Sequence, residues 1–200
     1  RVLSDLRKAH THLTLHERTY PFPIFLAPVA YQRLAHSEGE RASALAAAAM
    51  QVPFTISMQS SIGLDVLAEH TSGTRWLQWY WQPDQLASQQ LLKKAVQAGI
   101  EAIVLTVDAP ISGIRNKSQR AGFSLPTDID AVLLKEFNLV VPSTSVAGHS
   151  PLFASGFLSY VPRWKEIERF IQECPLPVWI KGILHPGDAL LALQAGAVGV

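Results

Sequence analysis

Residues Ile103-Val104-Leu105-Thr106-Val107-Asp108 constrain the fold more than any other stretch, because five β-branched or apolar positions in a row stop on a carboxylate. Before them, Asp84 to Ala98 reads as a helix, with Leu91, Leu92, Ala95 and Val96 on one face and Gly99 where a helix would end. A short run of this kind fed by a helix is the pattern of a parallel strand buried on both faces. Chemistry in parallel α/β folds gathers at the carboxyl ends of such strands, and Thr106 and Asp108 stand there. The alternative for Asp108 is a turn cap before Pro110.

The same unit recurs along the chain. Ile24-Phe25-Leu26-Ala27 reads as a strand that enters a tight loop at Pro28-Val29-Ala30. Ser37 and Glu40 have capping-box spacing in front of an Ala-rich helix from Arg41 to Met50. Pro53–Ser57 is strand-like, Ile62–His70 helical and Trp76–Tyr80 strand-like. After the central strand, the chain from Ala109 to about Val161 is rich in breakers and lacks a long period, so residues 116–159 are expected to form a long active-site loop. Alternation resumes with a helix at Arg163–Glu173, a strand at Val178–Lys181 and a helix at Gly187–Ala195. Strand and helix alternating at this pace describe a doubly wound sheet or a (β/α)8 barrel. Gln97-Ala98-Gly99 is echoed by Gln194-Ala195-Gly196, which sets Val200 where Ile103 stands. The expectation is an incomplete barrel with about five βα units and a sixth strand begun, since natural domains avoid leaving a strand edge unpaired.

Composition narrows the class. With 48% hydrophobic and 16% charged residues and a net charge of +1, the chain reads as globular and soluble, with no basic patch for nucleic acid. No run reaches the length of a membrane span and the first residues do not form a signal peptide, so a cytoplasmic location is the default expectation. Cys174 is the single cysteine, which excludes an internal disulfide and a cysteine cluster for zinc. His10, His12 and His16 lie in a segment that reads as a solvated hairpin, and no acidic or cysteine partner nearby completes a metal site. The G-x-G-x-x-G, G-K-[ST], H-E-x-x-H and G-x-S-x-G signatures are all absent.

The informative pattern is positional. Ala30, Ser57, Gln78 with Tyr80, Thr106 with Asp108, and Lys181 all fall at ends of successive strands. In a barrel they converge on one face and offer hydroxyl, amide, phenol, carboxylate and ammonium groups to one cavity, a site for a polar ring or acid.

Five runs in order then carry a resemblance: Leu26-Ala27-Pro28-Val29-Ala30, His36-Ser37-Glu38-Gly39-Glu40, Gln78-Trp79-Tyr80, Leu105-Thr106-Val107-Asp108-Ala109-Pro110 and Ile180-Lys181-Gly182. Together they resemble the FMN-dependent α-hydroxy-acid oxidase and dehydrogenase family, over nearly the whole chain apart from the loop between Leu125 and Tyr160. The resemblance implies a (β/α)8 barrel that holds FMN at its carboxyl face, oxidises a small 2-hydroxy acid to the 2-keto acid and assembles as a homo-oligomer when full length. It implies that the backbone of Pro28, Val29 and Ala30 lies against the flavin, that Ser57, Gln78 and Thr106 bond its polar edge, and that Lys181 faces the N1 and C2 carbonyl region. Tyr80 would bond the substrate oxygen, Arg115 would lie near the substrate carboxylate or the flavin, and Asp108 would orient a histidine base. That histidine, the arginine clamping the substrate and the phosphate-binding loops belong to the family beyond the position of Val200, so the resemblance implies a fragment that lacks the catalytic histidine and is inactive alone. Gln59 and Ile111 replace a common Trp and a common Arg, which leaves the particular acid open. Two other readings stand beside this one: a barrel lyase or aldolase using Lys181 as a Schiff base, and a non-catalytic remnant.

Overall fold

The computed structural model describes residues 6–16, 18–110, 113, 115–139 and 161–200. Its centre is a parallel sheet of β3 (Phe54–Ile56), β4 (Arg75–Tyr80), β5 (Ala102–Thr106) and β6 (Val178–Lys181), in that spatial order. Single parallel bridges extend it at both edges, Leu26 to Phe54 on one side and Gly199 to Trp179 on the other. Six successive segments therefore lie side by side in chain order, as the wall of a (β/α)8 barrel does. Where the apolar run Ile24-Phe25-Leu26-Ala27 suggests a strand, only Leu26 forms a bridge, and the flanking Pro23 and Pro28 have no N–H to lengthen the ladder. An antiparallel hairpin of β1 (Leu13–Leu15) and β2 (Arg18–Tyr20) precedes it, as expected, with the Thr14 and Thr19 hydroxyls paired at 2.8 Å.

Helices follow the strands: α1 (Gly39–Ala49), α2 (Leu64–His70), α3 (Gln85–Gln97), α6 (Trp164–Glu173) and α7 (Pro186–Gln194). Alternation along the strands decides what meets them. Leu77, Ile103, Leu105 and Ile180 are fully or almost fully buried and share one core with Leu67, Leu91, Ala95, Ile167 and Phe170 of the helices. Each such Leu or Ile contributes about 1.5–3 kcal/mol by leaving water. The other face is concave, and Thr55, Trp76, Val104 and Trp179 line a cavity of about 340 Å³ there. Trp76 and Trp179 stack across it with ring centroids 5.4 Å apart.

Local signals set most boundaries. The Asp84 side chain caps α3 by accepting from Ala87 N at 2.9 Å. Gly99 and Gly196 both take positive φ, +71° and +96°, and the following Ile100 and Ala197 N–H groups each donate back to the helix at 3.0 Å, to Ala95 and Ala192. The echoed sequences are thus echoed turns.

Two expectations change. Ser37 and Glu40 do not form a capping box: α1 starts at Gly39, Glu38 is its cap with no side-chain bond to the helix backbone, and Glu40 reaches into the protein instead. Within the stretch expected to be one long loop, α4 (Asn116–Arg120) and α5 (Val132–Glu136) form, and Leu133 is fully buried. Helices of five residues are too short to print a period, and Leu133 and Leu134 are held by joining the main core. The remainder of that stretch, 140–160, lies outside the described residues.

Candidate active site

Strand register builds the site. Tyr80 pairs with Thr106 and Thr106 with Lys181, so three side chains from β4, β5 and β6 share one rung at the carboxyl rim of the concave face. One pleat repeat below Tyr80, Gln78 points the same way. Its Nε2 donates to Thr106 Oγ1 at 3.0 Å, and its Oε1 accepts from Met58 N at 3.3 Å and from Ser57 Oγ at 3.4 Å. Ser57, Gln78 and Thr106 are buried and form one polar ladder across three neighbouring strand ends. Ser57 is itself fixed by Gln59 N, which donates to its Oγ at 3.1 Å.

A charged group stands at the β6 end. Lys181 Nζ lies 3.7 Å from Asp108 Oδ1, both side chains about half exposed. Tyr80 is half-buried, and burial pushes its phenol above the ordinary value of 10.0; the Asp108 charge adds to this rise and Arg115 opposes it. Tyr80, Asp108 and Arg115 therefore share one electrostatic environment, although they come from β4, the loop after β5 and the start of α4. Pro28, Val29 and Ala30 lie apart from that group, at the Leu26 end of the rim. Their loop is tied to the one after β3 by Tyr31 N donating to Gln59 O at 3.1 Å. Gln59 is half-buried, and Ile111 lies outside the described residues.

The cavity beneath is not the polar ladder itself. It is an apolar trough that reaches Lys181 and Gly182 at its upper edge, with Phe25, Trp76 and Trp179 below. Among the described residues no cluster of histidine, cysteine or acidic side chains is suited to a metal ion. No helix among them is long and apolar enough to cross a membrane.

Two residues of this region escape a reading of the sequence. Gly182 sits at φ +108° against the Asp108 side chain. It lies in the quoted Ile180-Lys181-Gly182 run, but only the strand register reveals its contact. Glu40 is fully buried and bonds to both rim loops nearest Ala30 and Ser57. Its signal was available, since Glu40, Ala44 and Ala47 repeat at helical spacing and all three are buried.

Known proteins are similar to this chain in sequence and fold. The chain is 41% identical over 200 residues to an L-lactate oxidase of Alicycliphilus denitrificans, covering all of this chain and 54% of that protein. It is 39% identical over 201 residues to a 4-hydroxymandelate oxidase of Amycolatopsis orientalis, covering 56% of it. A solved mandelate oxidase in complex with (S)-2-phenylpropionate superposes with a TM-score of 0.80 at 38% identity, over 98% of this chain and 52% of that one. The sheet described above is therefore part of the same barrel fold, and the chain spans about half the length of the relatives it matches. The family model for FMN-dependent dehydrogenases matches residues 1–200, and the chain belongs to that family.

Proposed function

We propose that this chain supplies the flavin-facing wall and part of the substrate pocket of an oxidoreductase that converts a small 2-hydroxy acid to the 2-keto acid with FMN as acceptor. The observation that carries the reading is the rung Tyr80–Thr106–Lys181 above Gln78, which puts neutral donors, an ammonium and a phenol side by side on one rim. Relatives named for lactate, glycolate and mandelate all carry a 2-hydroxy acid in their names, which supports the substrate class.

The donor set fits the polar edge of a flavin ring, where carbonyl acceptors alternate with a single N–H. Thr106 accepts from Gln78 and keeps its own hydrogen to donate, and among the described residues Lys181 meets one carboxylate oxygen, at 3.7 Å, out of its three N–H groups. The trough of Trp76, Val104 and Trp179 supplies apolar surface below. Ser57, Gln78, Thr106 and Lys181 would hold the ring edge, with the Pro28, Val29 and Ala30 backbone at its side. When bound, FMN supplies the acceptor for the two electrons that leave the substrate carbon.

The residues of this chain divide the remaining work. Lys181 stabilises negative charge that grows on the cofactor side of the site. Tyr80, kept neutral by burial and by Asp108, donates its hydroxyl hydrogen to a substrate oxygen. Arg115 attracts the substrate carboxylate from the loop side. Asp108 orients and charge-stabilises the imidazole that takes the substrate hydroxyl proton, as a carboxylate does for a histidine base elsewhere. A Schiff-base role for Lys181 is disfavoured, because such lysines are activated by an apolar pocket or a neighbouring cation, whereas Lys181 is half exposed beside a carboxylate.

The test is anaerobic reduction of FMN bound to a protein in which this chain is continued through the family's histidine, arginine and phosphate-binding segments, followed at the flavin absorbance band on addition of lactate, glycolate or mandelate. Bleaching by a 2-hydroxy acid is expected. A protein that takes up no flavin, and whose Lys181 is instead trapped by borohydride on a carbonyl compound, would overturn the proposal.

A further inference from the structure

Glu40 is a carboxylate with no exposed surface and, among the described residues, no ion-pair partner. The neighbouring Arg41 turns its Nη1 to Glu38 instead, at 2.7 Å. Burying a carboxylate without a cation is costly, and an apolar side chain would fill the same space more cheaply, so its bonds identify its use. Oε1 accepts from Gln32 N at 3.0 Å and from Ser61 N at 2.9 Å, while Oε2 accepts from Ser61 Oγ at 2.6 Å. Ser61 Oγ in turn accepts from Arg33 N at 3.2 Å. One carboxylate thus joins the loop after Leu26 to the loop after β3.

The first of these loops is otherwise anchored through Tyr31, whose N–H donates to Gln59 O at 3.1 Å and whose half-buried ring packs against the main core. The 3₁₀ turn Gln32–Leu34 buries none of its residues, Val29 and Leu34 are exposed, and Tyr31 sits at φ 51°, a conformation that a bulky side chain adopts only under constraint. Gln32 extends the linkage: its Oε1 accepts from Ser43 Oγ of α1 at 2.6 Å and its Nε2 donates to Val29 O at 3.4 Å. Beside the Tyr31 anchor, the contacts that set where Val29 and Ala30 stand relative to Ser57 are polar, and Glu40 joins most of them.

We infer that Glu40 is a positioning residue of the flavin site: without touching the cofactor, it fixes the spacing between the Pro28–Ala30 backbone and the Ser57–Gln78 ladder so that the ring meets a preformed surface. This rests on the FMN reading above. Preorganisation of this kind shows in affinity, because a loose loop must be ordered at the moment of binding.

The test compares wild type, Glu40→Ala, Glu40→Gln and the core variant Leu67→Ala in the continued protein described above, by FMN fluorescence titration and by amide hydrogen exchange without flavin. Glu40→Ala should raise the FMN dissociation constant about tenfold or more, as expected for losing bonds to a charged acceptor. It should also speed exchange at Gln32 and Ser61. Glu40→Gln keeps a carbonyl oxygen for both N–H groups and should stay within about threefold of wild type. Leu67→Ala should melt at a lower temperature yet bind FMN as wild type does. An Ala variant that exchanges faster but binds FMN normally would overturn the inference and leave the FMN reading intact, whereas a wild type that takes up no FMN would overturn both. If Glu40→Ala fails to fold, Ser61→Ala removes the hydroxyl between Glu40 and Arg33; weaker FMN binding then supports the inference and unchanged binding overturns it.

Discussion

Gly182 presents a bare Cα to the side chain of Asp108: a Cβ placed there would stand 2.5 Å from both Asp108 Cβ and Cγ. The residue also sits at φ +108°, where a side chain is strained whatever the space. Gly182→Ala should therefore lose about 1–3 kcal/mol of stability and displace the Asp108 carboxylate. Urea unfolding reads the first effect and the rate of 2-hydroxy-acid-dependent flavin reduction the second, with a fall of about tenfold or more expected for a misplaced reacting group. An Ala variant matching wild type in both would mean that Asp108 yields freely to the added methyl.

Gln78 holds the polar ladder together through both ends of its amide. Gln78→Leu preserves the volume but leaves the buried Met58 N without its side-chain acceptor and Thr106 without its donor. The expected loss is about 1–3 kcal/mol. A double-mutant cycle with Thr106→Val should show coupling of about 0.5 kcal/mol or more, as residues in one hydrogen-bond network do. Additive single and double variants would show that the two side chains are neighbours without an energetic bond.

How far these relationships could be read beforehand depends on their range along the chain. β5 and α3 differ from their expected limits by one or two residues and β6 not at all, because an apolar run, an N-cap and a closing glycine are local signals. The Gly99 and Gly196 turns repeat for the same reason. Glu40 is the instructive failure: Ser-x-x-Glu spacing is local and suggested a cap, while the partners that win, Gln32 and Ser61, come from two other loops. The Gly182–Asp108 contact depends on pairing Thr106 with Lys181 across 75 positions of sequence, which no local pattern encodes. Ser57, Gln78, Thr106 and Lys181 were found as strand-end residues, but that three of them form one bonded ladder follows only from the register.

Lys181 and Asp108 should pull the flavin potential in opposite directions. The ammonium favours charge on the reduced ring, so Lys181→Met should lower the midpoint potential of the bound cofactor. Asp108 stands 3.7 Å from that ammonium and offsets part of its field, so Asp108→Asn should raise the potential. Spectroelectrochemical titration of the three proteins decides the matter. Shifts of the same sign in both variants would show that the pair does not act on the ring as opposed charges.

Tyr80 gives the site a predictable alkaline limit. Burial and then the Asp108 charge raise its phenol above 10.0, while Arg115 pulls the other way. The neutral donor therefore persists to higher pH than a free tyrosine would allow. Removing the carboxylate with Asp108→Asn should move the phenol's titration, read by phenolate ultraviolet absorbance, to lower pH, and Arg115→Met should move it to higher pH. The same shift enters stability. The folded protein keeps a proton that the unfolded chain has already released, so Tyr80 contributes fully below the unfolded value and its contribution is lost as pH rises through the folded value. Tyr20 and Tyr31 are raised too, in each case chiefly by burial, and add to the same loss. Unfolding free energy should thus fall with pH from about 10 upward, and Tyr80→Phe should fall less steeply than wild type. Equal slopes for the two proteins would show that Tyr80 is solvated in the folded state, and Asp108 and Arg115 variants titrating like wild type would separate its phenol from both charges.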